Sequence, residues 1–128
     1  MKVLVDTSFL LLCAERGKDF ISLSEEKLGE TLECCVLEDI LNELKSIKGR
    51  GGRRGAMASL ALRIAENMKR VRSEEDLPAD EKLLREAEKI GAAIASIDLG
   101  LVRKARKRGI PVISIGSDQR VIFEGVRL

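Results

Sequence analysis

Two short apolar runs that each close on an aspartate constrain this chain most: Val3-Leu4-Val5 before Asp6, and Ala93-Ile94-Ala95-Ser96-Ile97 before Asp98. An uninterrupted apolar run, unlike an alternating one, suits a strand buried on both faces, as in a parallel sheet sandwiched by helices. Open α/β sheets bind their ligands just outside the carboxyl ends of the strands, where both aspartates stand. Between them in sequence lie Glu43, inside an apolar helical stretch, and Asp80, at the start of another. Four carboxylates at one sheet edge would suit a hard divalent cation. The chain has no histidine, so neither a general base nor a metal ligand can be sought there. Metal-assisted phosphodiester hydrolysis, with a nucleic acid as substrate, is the leading expectation.

The spacing of apolar residues predicts a strand over 2–6, helical segments over 7–15 and 19–28, and a second strand over 31–36. Leu37, Ile40, Leu41, Leu44 and Ile47 repeat at helical spacing. The next segment, Lys48 to Gly55, holds four glycines and four bases in eight residues and reads as a flexible cationic loop. It lacks the closing Gly-Lys-Ser/Thr of a phosphate-binding P-loop. A helix follows over 56–69, and Pro78 opens another with Leu83, Leu84, Ala87 and Ile90 as its buried stripe. A strand over 93–97, a helix over 99–108, a strand over 112–115 and an edge strand over 121–123 complete the chain. Strands alternating with helices imply a mostly parallel sheet covered on both faces.

The chain's 128 residues suffice for one domain spanning 1–128 with a continuous core. No apolar run approaches the roughly 18 residues of a membrane span. The N-terminus lacks a signal-peptide pattern, so a cytoplasmic location is expected. Three cysteines, Cys34 and Cys35 adjacent, form no disulfide framework and no zinc spacing. Net charge is only +2, yet Lys45 to Arg72 carries nine bases against the single acid Glu66. A second basic cluster runs from Arg103 to Arg108. Such separation offers a landing surface to a polyanion, although each cluster also reads as a solvated helix face.

Taken singly, each acid has an ordinary structural explanation. Asp6 and Asp98 could cap helices, Asp80 and Glu81 could answer a helix dipole, and Glu43 could reach water from the border of its apolar stripe. Together they would repel one another unless a cation neutralised them. Mg²⁺ or Mn²⁺ would do so and would activate water without histidine. Asp118, after the last parallel strand, fits a turn better than a ligand.

With these residues placed, the chain resembles the PIN-domain ribonucleases along nearly its whole length. The matching stretches are Val3-Leu4-Val5-Asp6-Thr7-Ser8, Val36 to Leu44, Pro78-Ala79-Asp80-Glu81 and Ser96-Ile97-Asp98. The resemblance implies a three-layer α/β/α fold with a central, mostly parallel sheet. It implies that Asp6, Glu43, Asp80 and Asp98 hold Mg²⁺ or Mn²⁺ for endonucleolytic cleavage of RNA, with Ser8, Ser96 and Glu81 as auxiliary residues. Arg50, Arg53, Arg54 and Arg103 are the expected phosphate contacts. Ala79-Asp80-Glu81, Ala95 to Asp98 and Gly109 to Ile115 look most like the ribosomal-RNA-processing branch, which includes the small-subunit processome endonuclease. Toxin–antitoxin PIN toxins are the next nearest group. A precursor of ribosomal RNA, a ribosome-assembly protein and a second copy of the chain are the partners this implies.

Two positions depart from the family pattern: Gly100 where many members have another acid, and Ile97 where many have Asn or Asp. Gly100 and the large basic area favour an alternative, a PIN scaffold that binds RNA or protein in ribosome assembly with weak or no cleavage. A receiver-type signalling domain, also a small α/β sheet with acids at strand ends, lacks its required combination here: paired acids after the first strand, a mid-chain phosphoacceptor aspartate and a late lysine. With no tyrosine or tryptophan, little base stacking is available, so backbone and shape recognition is expected.

Overall fold

The computed structural model describes residues 1–125. Six strands form one sheet in the order β3-β2-β1-β4-β5-β6. In chain order the elements are β1 (Lys2–Val5), α1 (Thr7–Arg16), α2 (Phe20–Leu28), β2 (Glu33–Leu37), α3 (Glu38–Gly49), α4 (Gly52–Ala65), β3 (Lys69–Val71), α5 (Ala79–Ile90), β4 (Ala93–Ala95), α6 (Leu99–Lys107), β5 (Val112–Ile115) and β6 (Val121–Glu124). The first five strands are parallel and β6 runs antiparallel to β5. From β1 the chain builds outward through β2 and β3, then returns to β1's other side with β4. Right-handed crossovers in opposite directions place their helices on opposite faces. Accordingly α1, α3 and α4 pack on one another, and α5 packs with α6. The result is a three-layer α/β/α sandwich, as the resemblance implied.

The apolar runs behave as double-sided burial requires. Val3, Leu4 and Val5 are buried, as are Ala93, Ile94 and Ala95. Phe9 and Phe20 meet edge to face, with ring centroids 6.5 Å apart, beneath α1 and α2. Each fully buried large aliphatic of this core contributes about 1.5–3 kcal/mol.

Four departures from the sequence expectation exceed one residue, each with a physical reason. The strand expected over 31–36 begins at Glu33, because the Glu25 carboxylate takes the Leu32 N–H at 2.7 Å. The strand expected over 93–97 stops at Ala95. Beyond Ser96 the backbone donors go to side chains, Ile97 N–H to Ser8 Oγ at 3.1 Å and Asp98 N–H to Ser96 Oγ at 3.0 Å. The flexible loop over 48–55 does not exist. Only Arg50 and Gly51 lie between α3 and α4, and Arg53 and Arg54 belong to α4's first turn. Left-handed backbone at Gly51 and Gly52 turns the chain within two residues. Gly55 then lets α4 approach α3: a Cβ there would lie 3.1 Å from the Lys48 carbonyl oxygen. Last, the helix expected over 56–69 ends at Ala65, and Lys69 instead opens β3; Lys-Arg-Val carries no apolar run, and only pairing with β2 makes it a strand.

Candidate active site

At the carboxyl end of the sheet, where the strand order reverses between β1 and β4, lies a cleft of about 300 Å³. Its lining includes Asp6, Glu43, Asp80 and Asp98, with Thr7, Ser8 and Arg54 beside them. Asp6 immediately follows β1, Glu43 comes from the second turn of α3, Asp80 from the first turn of α5, and Asp98 from the entry to α6. Elements far apart in sequence thus deliver four carboxylates to the one crevice that the topology creates.

Each carboxylate is held differently. Asp6 precedes α1 but makes no side-chain cap to it. Instead its Oδ2 accepts from the hydroxyls of Ser8 at 2.8 Å and Ser96 at 2.9 Å. Each hydroxyl has one proton, so with both given to Asp6 the 3.2 Å approach of the two oxygens is a contact only. Glu43 Oε2 accepts from Thr7 Oγ1 at 2.9 Å. Asp98 is a true N-cap: its Oδ1 accepts from the N–H groups of Gly100 and Leu101 at 2.9 and 3.2 Å. Capping engages one of its oxygens, so the cap and the site are compatible. Asp80 is held by no side-chain hydrogen bond among the described residues. Burial, then the charges of Asp6, Asp98 and Glu43, push its carboxyl above the ordinary value, with Lys104 opposing them.

None of the four acids has a Lys or Arg within ion-pair distance among the described residues. A crevice of uncompensated carboxylates, one already shifted by the others, is the donor chemistry a divalent cation neutralises. As placed, no three of the described acidic or cysteine side chains are grouped tightly enough to hold an ion. Mg²⁺ usually keeps several waters and takes only one or two carboxylates, so an ion in this cleft needs no such tight group. The residues therefore fit such an ion.

The remaining expected residues divide. Ser8 and Ser96 join the Asp6 network. Glu81 turns away, pairing with Arg108 and lying 4.0 Å from Arg85, and Arg108 holds its carboxyl below the usual value. Asp118 accepts from the Arg120 N–H in the β5–β6 turn, away from the cleft. Of the arginines, Arg54 lines the cleft, whereas Arg50 and Arg103 are exposed outside its lining. The second basic cluster is partly neutralised, because Arg106 pairs with Glu124 and Arg108 with Glu81 and Glu88. Thr7 and Lys104 were not singled out. Thr7 stood in the quoted Asp6-Thr7-Ser8 stretch, and its place beside Asp6 was the available signal.

A larger hollow of about 620 Å³ lies between α1, α2 and α4, lined by Cys13, Ile21, Leu60 and Ile64 among others. It is mainly apolar, gathers only Asp19 of the acids, and has no hydrolytic chemistry to offer. Cysteine chemistry is equally unsupported, since burial pushes the Cys13 and Cys34 thiols up to about 11.

The chain is similar to several known proteins. The chain is 37% identical over 73 residues to Ribonuclease VapC9 of Archaeoglobus fulgidus, covering 57% of this chain and 53% of that protein. It thus spans about half the length of the curated relative it matches. The PIN domain endonuclease Utp24 superposes with a TM-score of 0.77 at 25% identity, covering 98% of this chain and 96% of that one. VapBC2 from Rickettsia felis, solved bound to a DNA fragment from its promoter, shares the fold at 13% identity and a TM-score of 0.63, covering 91% and 100%. The family model described as "PIN like domain" matches residues 3–118, and on that match, running from β1 past β5, the chain belongs to this family.

Proposed function

We propose that the chain is a divalent-metal-dependent endoribonuclease whose reaction centre is the cleft of Asp6, Glu43, Asp80 and Asp98. The observation that carries this reading is the convergence at the topological switch point of four carboxylates, none with a paired base among the described residues. The likeness to a ribonuclease and to a PIN endonuclease supports RNA hydrolysis. Bound in the cleft, Mg²⁺ or Mn²⁺ supplies a lowered pKa for water and charge neutralisation at the phosphoryl oxygens. Ser8 and Ser96 hold one oxygen of Asp6 and leave its other oxygen to the cleft. Thr7 fixes Glu43, and the α6 N-terminus fixes Asp98. Asp80, held by no side-chain hydrogen bond among the described residues and crowded by burial and its acidic neighbours, is the carboxylate whose charge a bound cation would relieve. Arg54 borders the acids and meets substrate phosphate.

Within the family, we assign ribosomal-RNA processing on the motifs of α5, β4 and β5, with the near full-length likeness to a PIN endonuclease in support. A toxin-type ribonuclease is the second reading, supported by the partial identity to VapC9. Gly100 favours the scaffold alternative, because the position contributes a backbone N–H to Asp98 and no acid of its own.

Cleavage of end-labelled RNA in Mn²⁺ or Mg²⁺, wild type against Asp6→Asn, tests the proposal. Metal-dependent products lost in the variant are expected. RNA binding without products would favour the scaffold, and products that persist in the variant would move the chemistry elsewhere. Mn²⁺ should also stabilise the wild type, by about 2.7 kcal/mol at a hundredfold excess over its dissociation constant, seen as a higher melting temperature.

A further inference from the structure

Leu11 of α1 and Arg54 of α4 line the acid cleft and also line a second recess of about 280 Å³, completed by Glu15, Arg53 and Met57. The two hollows share a wall, so a chain lying across the carboxylates can continue directly into the second. Leu11 and Met57 are half-buried and packed against the core, giving the recess an apolar floor. Arg53, Arg54 and Glu15 are exposed, and none of them forms an ion pair among the described residues. The recess therefore presents an aliphatic surface, two available guanidinium groups and one available carboxylate.

We propose that this recess is the subsite for the unpaired base of the nucleotide adjoining the phosphate held over the four acids. The proposal rests on the ribonuclease reading of that cleft. Arg54, shared by both hollows, takes the linking phosphate. The base lies on Leu11 and Met57, with the planar Arg53 guanidinium available to stack on it. Glu15 repels phosphate, so the base and not the backbone occupies the Glu15 end of the recess. Unlike an aromatic platform, this floor needs none of the chain's three phenylalanines. A base laid on this floor must be unstacked and unpaired.

The test is binding of a fluorescein-labelled single-stranded 12-mer RNA, and of the same RNA with one abasic residue at each position in turn. The protein carries Asp6→Asn to prevent turnover, with and without Met57→Ala. Removing the base at one position should weaken binding about tenfold, and the same removal should cost less than about twofold once Met57 is alanine. A fully paired duplex of the same sequence should bind at least about tenfold more weakly. Arg53→Ala provides a second variant with the same expected insensitivity should Met57→Ala fail to fold. An abasic scan flat at every position, equal losses in the variants and their parent, or equal binding of the duplex would each overturn the subsite. Cleavage by the wild-type protein separates the two proposals. Base-dependent binding without cleavage leaves the subsite standing and sinks the nuclease, whereas cleavage with a flat scan does the reverse. No RNA binding at all overturns both.

Discussion

Ser8 and Ser96 spend their hydroxyl protons on one oxygen of Asp6, leaving the other to the cleft. Asp80 has no such partner, and that difference sets its behaviour. Its folded-state pKa is raised by burial and by three neighbouring carboxylates, so its ionised form opposes folding when no cation is present. The penalty is fully present at neutral pH and disappears as pH falls through the raised value. Asp80→Asn should therefore stabilise the metal-free protein at pH 7 by up to about 1 kcal/mol, while abolishing cleavage. Melting in EDTA and again in Mn²⁺ checks both halves, because the variant should gain less from the metal than the wild type. At this scale Asp6 and Asp98 were legible, since apolar runs ending in carboxylates mark strand ends, and the family resemblance joined Glu43 and Asp80 to them. The hold on each acid was not: whether a hydroxyl or a backbone N–H reaches a carboxylate depends on residues up to 90 positions away.

Helices decide the next level. The N-cap of α2 is Asp19, which accepts from the Ser22 N–H at 2.9 Å and from its hydroxyl at 2.6 Å. Those bonds hold its carboxyl below the ordinary value of 3.8. A lowered acid stabilises above its unfolded pKa and loses that contribution as pH falls through the folded one. Asp19→Ala should cost about 1 kcal/mol at pH 7, and denaturant melts should show the gap to wild type closing as pH drops below 3.8. In α4, alanine at position 55 should gain about 1 kcal/mol in helix propensity. Against this, the new Cβ meets the carbonyl oxygens of Lys48 at 3.1 Å and Ile47 at 3.3 Å. Both are backbone and cannot swing aside, and such crowding costs about 1–3 kcal/mol. Gly55→Ala should thus destabilise by about 1 kcal/mol net in thermal melts, and tilt the turn that carries Arg53 and Arg54. The glycines of this segment suggested flexibility to a reader of composition. In the fold they permit a two-residue turn and a close helix crossing, which hold the arginines on a helix.

Across the whole molecule, the two halves of the sheet meet at the site. Lys82 of α5 donates to Asp39 Oδ2 of α3 at 2.8 Å, with both side chains mostly removed from water. Asp39 lies one turn before Glu43, and Lys82 two residues after Asp80. The bond therefore fixes the spacing between helices from opposite faces of the sheet. Lys82→Ala should cost about 1.5 kcal/mol, typical of a hydrogen bond to a charged group. It should also weaken Mn²⁺ binding, read as a smaller metal-induced rise in melting temperature. An unchanged rise would show that the cleft holds its geometry without this tie.

Apolar runs and helical spacing determined the layered α/β architecture by themselves, because burial on two faces demands continuous hydrophobicity and burial on one demands periodicity. They also placed Asp6, Glu43, Asp80 and Asp98, since acids beside apolar elements stand out in a single chain. What the tertiary structure alone decided involves partners distant in sequence. These are the conversion of a glycine-rich segment into a helix start, the pairing that makes Lys69–Val71 a strand, the diversion of Glu81 to Arg108, and the recess shared through Leu11 and Arg54. Local pattern records which face a residue presents. Which residue it finds there is settled only when the sheet order and the crossovers bring separate elements together.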